Sequence, residues 1–329
     1  PISIASLSST ASTSDGMLLN GVTPGLTVSG PTSVGNATGA AVSLTGSGAV
    51  TFSGTVTASG ARGLVVASNT GTVTAADANN SVSATAGPGL DISSSTTNLV
   101  FASLSSASSG TNGVRLDTVA GTISAAGGTI TGATGNAFDV NAGAAAVSYG
   151  GSITNTAARA VEITNLAGGS VTLSGAVTDT GATGILLDNN DMGSAAAVAF
   201  TGTVDITGST GTAVTLSNTT LGTTSFADLD VDTSSSNQVG LFATANTGAT
   251  LSSTTGTINS GQATAVDIDN TTLDITLARV DSYFGSAVGI DISDTTGSFA
   301  VAGTVPAGGD CQLASAGCTG GVIAFKSGR

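Results

Sequence analysis

Gly89-Leu90-Asp91-Ile92 is the stretch that decides how this chain reads. Its pattern is Gly or Ala, then apolar, any residue, apolar, and it returns about every 25 residues along all 329. Taking the first apolar residue as anchor gives Met17, Val42, Leu64, Leu90, Val114, Phe138, Val161, Ile185, Val214, Leu241, Val266, Ile290 and Val322. Most intervals lie between 22 and 29 residues; the last is 32 and holds both cysteines. Self-similarity at such a period marks a solenoid, in which each repeat buries its apolar face only against its neighbours.

Composition narrows the solenoid to strands. Only 8% of residues are charged and 3% aromatic, there is no His or Trp, and Gly, Ala, Ser, Thr and Val dominate. β-Branched residues alternating with polar ones, with Gly every few positions, disfavour helix. A second phrase, as in Gly54-Thr-Val56-Thr, Gly121-Thr-Ile123-Ser and Gly151-Ser-Ile153-Thr, repeats the alternation within each coil. The expected fold is all-β: one right-handed parallel β-helix over 1–329, about 13 coils of about 25 residues, with a loop insertion at 305–320. Past each anchor strand lies a turn position holding Asn165, Asn189, Asn218 and Asn270, or a small or polar residue in other coils. Stacked there, these side chains are expected to form an asparagine ladder.

The net charge of −14 argues against nucleic acid and anionic membranes as partners. No apolar run is long enough to span a bilayer and none reads as a signal peptide, so a mature or excised segment is expected. Cys311 and Cys318 share a Gly-rich loop. The expectation there is a local disulfide and an oxidising, extracytoplasmic location.

Gly321 to Arg329 followed by Pro1 to Leu19 aligns without gaps with Gly89 to Leu116. On this reading the chain opens and ends in mid-coil. Copies would join head to tail, as subunits or in tandem, burying Ile2, Ile4, Leu7, Val322 and Ala324.

The phrases Gly-Gly-Ser-Ile-Thr-Asn-Thr at 150–156, Gly-Ala-Val-Thr-Asp-Thr-Gly at 175–181 and Asn-Thr-Thr-Leu-Gly at 218–222 resemble those of bacterial β-strand-repeat surface proteins. These are parallel β-helices akin to autotransporter passengers and haemagglutinin-type adhesins. The resemblance implies export, a stalk on the cell surface and a structural or adhesive role. It carries over no catalytic residue.

Several outward positions bear on chemistry. The middle of the anchor strand forms a column with Asp91, Arg115, Asp139 and Glu162, and later Asp267 and Asp291. Neighbours in such a column lie about 4.8 Å apart, so Asp91–Arg115–Asp139 reads as a surface charge ladder. Asp267, Asp269, Asp291 and Asp294 form an acidic cluster that suits a hard cation such as Ca²⁺. Asp228, Asp230 and Asp232 alternate on one strand, as an acidic edge or a second cation patch. Paired carboxylates also suit cleavage of polysaccharides, but Arg115 is the only plausible cationic partner and aromatic platforms are scarce. The chain is therefore not expected to be an enzyme, and surface glycans are the alternative partner. Thr on regular strand faces also resembles ice-binding solenoids, which the variable coil length counts against.

Overall fold

The computed structural model describes residues 2–181, 183–303, 319–321 and 323–324. It is an all-β parallel β-helix of about 12 turns without helices. The chain divides into two compact units, Pro1–Gly175 and Ala176–Arg329.

Each turn has three sides. In the first unit the anchor face begins with Met17–Asn20 and continues in parallel register through Val42, Leu64, Leu90, Val114, Phe138 and Val161. The second face runs from Ile2–Ile4 through Leu26–Val28, Val50–Phe52 and Val73–Ala75 to Ser170–Leu173. The third runs from Leu7–Thr10 through Ser81–Ala84 to Ser152–Asn155. In the second unit the anchors Ile185, Val214, Leu241, Val266 and Ile290 pair in the same way.

Alternation along each strand supplies the core. Val, Ile and Leu point inward and are almost fully buried, as with Leu90, Ile92, Leu99 and Leu104 around one turn. Phe200 stacks on Phe226 of the next turn at 4.8 Å, and within one turn Phe138 meets Tyr149 at a tilt, 5.8 Å between ring centres. The buried Tyr149 hydroxyl donates to the Leu104 carbonyl at 3.1 Å, and burial pushes its pKa up. The residue before each anchor is Gly or Ala because the neighbouring turn leaves no room. A Cβ on Gly113 would lie 2.3 Å from Ile130 Cγ2 and 2.6 Å from the Ala137 carbonyl oxygen.

A left-handed residue closes every anchor strand. Gly21, Gly46, Ser68, Ser94, Thr118, Ala142 and Asn165 in the first unit have φ between 45° and 65°, as do Asn189, Asn218, Ala245, Asn270 and Asp294 in the second. One such residue between two extended segments turns the chain onto the next face. Asn, Asp and Gly occupy it most cheaply.

The polar ladder lies one residue later than the sequence suggests. Asn165 Nδ2 donates to Asn141 at 2.8 Å and Asn218 Nδ2 to Asp188 at 2.8 Å, so the corner side chains reach back to the strand of the preceding turn. The residue after the corner points inward and carries the buried ladder. The Val22 N–H donates to Ser47 Oγ (3.3 Å), the Ser47 N–H to Asn69 Oδ1 (3.1 Å) and the Asn69 N–H to Ser95 Oγ (3.1 Å). In the second unit the Thr219 N–H donates to Asn246 Oδ1 (3.0 Å), and Asn246 Nδ2 donates on to Thr271 Oγ1 (3.0 Å). The reason is local. The left-handed residue takes its successor's N–H out of line, and at Val22, Ser47, Asn69 and Thr219 a side chain from the next turn accepts it, whereas the Asn246 N–H goes to the Asn270 carbonyl.

Ile323–Ala324 does not continue the anchor face. Ile323–Ala324 pairs with Ser282 and Tyr283 on the third face, not with the anchor strand Ile290–Ser293. Gly321 explains the confusion. Its φ of 97° and its approach to Val280 match Gly128 (123°, against Leu104) and Gly256 (137°, against Leu229), both of which open third-face strands. The phrase Gly-apolar-x-apolar thus opens two kinds of strand, and the strand each pairs with separates them. The count of about 12 turns is close to the 13 expected, and Ile323–Ala324 does not supply the anchor strand of a composite coil with 1–19. Val322, Cys311 and Cys318 lie outside the described residues, as does most of the expected 305–320 loop.

Candidate functional site

On the anchor face the acidic column forms, with one change in pairing. Asp91, Arg115, Asp139 and Glu162 stand in register on successive turns. Arg115 reaches Asp91 at 3.1 Å and Asp117 at 2.6 Å rather than Asp139, and Arg62 adds a second contact to Asp91 at 2.6 Å. Asp117 is on Arg115's own strand, two positions away, a shorter reach than the next turn offers. Asp139 instead accepts from Asn112 Nδ2 at 2.6 Å, and Glu162 pairs with Arg159 at 3.2 Å. Burial, then the Glu162 carboxylate, raise the Asp139 pKa to about 6, against a smaller opposing pull from Arg115.

In the second unit Asp267 lies beside Asp291 and Asp269 beside Ser293. Ser293 Oγ donates to Asp269 at 3.1 Å, and Asp294 occupies the left-handed corner. Burial, then the Asp291 and Asp269 carboxylates, raise the Asp267 pKa. Among the described residues no three His, Cys, Asp or Glu side chains converge as a metal ion requires.

The arrangement with most chemistry is a groove on the third face of the second unit. It encloses about 450 Å³ and is lined by Asp205, Asp230, Val231, Asp232, Thr257, Asn259, Arg279 and Asp281. Register builds it. Asp205, Asp230, Thr257 and Arg279 form one column across four turns, and Asp232, Asn259 and Asp281 the next. Asp230 Oδ1 accepts the Thr257 N–H (3.0 Å) and hydroxyl (2.8 Å), and Asp232 Oδ1 accepts the Ser234 N–H at 2.9 Å. Arg279 forks onto Asp281, whose side chain is only 8% exposed. Burial, then the Asp230 carboxylate, raise the pKa of neighbouring Asp228. Two positions beyond Asp281, Tyr283 meets the exposed ring of Phe284 edge-on at 5.4 Å.

Sequence reasoning found Asp228, Asp230 and Asp232 but treated Arg115 as the only cation able to serve paired carboxylates. Arg279 does so here. The signal was present in the coil period, which places position 279 one turn beyond 257 and two beyond 230. Asp179, which no pattern singled out, is fully buried in register with Ile206. Carboxylates, hydroxyls, an amide and a guanidinium along an open groove can hydrogen-bond a polyhydroxylated ligand.

In comparisons with known proteins, no family model, no curated protein and no solved structure matched the chain.

Proposed function

We propose that this chain is a structural β-solenoid of the bacterial cell surface, part of a fibre or stalk that lengthens by stacking coil on coil. The first turn carries the reading. Ile2 is 46% exposed, whereas Leu26, its partner in register, is 3% exposed. Ile4 and Leu7 are half-buried, and the outer edge of their strands offers main-chain donors and acceptors to a further strand. Another coil of the same kind, head to tail, meets both needs. Of the remaining residues expected at this interface, Ala324 lies on a third-face strand.

Sedimentation and electron microscopy across a concentration series test the reading. Fibres that lengthen with concentration, and are lost in Ile2→Lys with Leu7→Lys, are the expected result. Compact monomers at every concentration count against it.

The groove at Asp230 and Arg279 favours a second reading, an adhesin segment that binds surface glycans or, beyond that, cleaves a polysaccharide. Glycan-array binding lost in Arg279→Ala supports it, and an array with no hits removes it.

A further inference from the structure

We propose that the second face binds ice. Outward residues there stand in two ranks. In the first unit one rank runs Ser3, Thr27, Thr51, Thr74, Asn98 and Thr122, turn after turn in unbroken register. It continues through Ala146 and Ser170, and the other rank, two residues along each strand, runs Val100, Ser124, Ser148 and Thr172. The second unit repeats the pattern with Thr223, Thr250, Thr272 and Thr296, beside Ser225, Ser252, Asp274 and Ser298. Groups on such a surface repeat at about 4.8 Å between strands and about 6.7 Å along them. Oxygen rows of hexagonal ice repeat at distances of this size in two directions.

Three observations separate this face from a chance run of small residues. The first is charge. The chain carries −14, and its other faces hold Asp91, Arg115, Asp139 and Glu162, or Asp205, Asp228, Asp230 and Asp232. Among the positions named here only Asp274 is charged. A charged group keeps its own hydration shell and breaks an ordered water layer, so excluding charge is what an ice surface demands.

The second is where irregularity falls. The coil length varies, which on sequence alone spoke against a regular array. Yet the register shifts lie between Val34 and Ala40, Phe200 and Thr203, and Asn246 and Thr250, all at corners. Corners absorb the extra residues and the ranks stay in step. The third is side-chain order. The Thr272 and Thr296 hydroxyls lie 3.1 Å apart, and Thr122 Oγ1 donates to Asn98 Oδ1 at 3.0 Å. β-Branched side chains held this way keep their rotamers. A crystalline polysaccharide, the competing flat ligand, asks for aromatic rings to stack on, and these ranks contain none.

The test is thermal hysteresis and ice-crystal shape in solutions of the full chain. Two double variants are compared: Ser53→Lys with Thr122→Lys on the second face, and Thr57→Lys with Thr131→Lys on the third. All four positions are exposed, and circular dichroism melts check that both variants fold. Faceted crystals and hysteresis in the unaltered chain, lost in the first variant and kept in the second, are expected. Absence of hysteresis in the unaltered chain, or equal loss in both double variants, overturns the proposal. So does retention on crystalline cellulose or chitin with no effect on ice.

Discussion

Asn246 reaches across two turns: its Oδ1 accepts the backbone N–H of Thr219 at 3.0 Å, while its Nδ2 donates to Thr271 Oγ1 and to the Leu216 carbonyl. It is 1% exposed. Asn246→Ala strands a buried N–H and a buried carbonyl together. At about 1–3 kcal/mol for a group left unsatisfied, a loss of about 3 kcal/mol is expected in urea unfolding.

Asn69 holds the matching place in the first unit, but its buried Nδ2 has no partner. Asn69→Ser keeps an acceptor for the Ser47 N–H, as Ser95 already does for Asn69, and removes the stranded amide. Stability within about 1 kcal/mol of the unaltered protein, on either side, is expected from the same measurement.

Thr118 is a β-branched residue at φ 57°. Relief of that strain should outweigh its exposed hydrogen bond to Asp117, so Thr118→Gly is expected to stabilise by about 1 kcal/mol. Asn165→Val at the same corner is expected to destabilise by about 1–2 kcal/mol. Thermal melts of the two variants should shift in opposite directions.

Asp139 sets a pH dependence. Its folded pKa of about 6 lies above the ordinary 3.8, because of burial and the facing Glu162, with Arg115 and Asp117 also close. The folded state therefore binds the proton more tightly. That contribution is complete below about pH 4 and is lost as pH rises through about 6. Denaturation midpoints should fall across this window, and Asp139→Asn should flatten the fall. An unchanged slope in the variant would place its origin elsewhere.

Much of the solenoid is legible in the chain because its repeat is one-dimensional: within each unit, Met17 to Val161 and Ile185 to Ile290, an anchor meets its successor about 25 residues on. Parity along a strand then fixed which side chains face inward, and the outward column of Asp91, Arg115, Asp139 and Glu162 could be read off directly. What a phrase cannot carry is the strand it will pair with. Only the folded chain sets Ile323–Ala324 beside Ser282 and Tyr283 instead of an anchor strand, and only it moves the buried ladder from Asn218 to Thr219.

Tertiary structure also decided pairing wherever two partners were within reach. Arg115 turns to Asp117 instead of Asp139, and Arg279 forks onto Asp281 of its own strand while lining a groove with Asp205, Asp230 and Asp232 of earlier turns. The sequence by itself determined a parallel β-helix and the direction in which each side chain points, since both follow from periods of 2 and about 25. Which columns become grooves, ladders or uncharged faces depended on where the corners absorb extra residues. Corner geometry is set by contacts between turns, and no single turn contains that information.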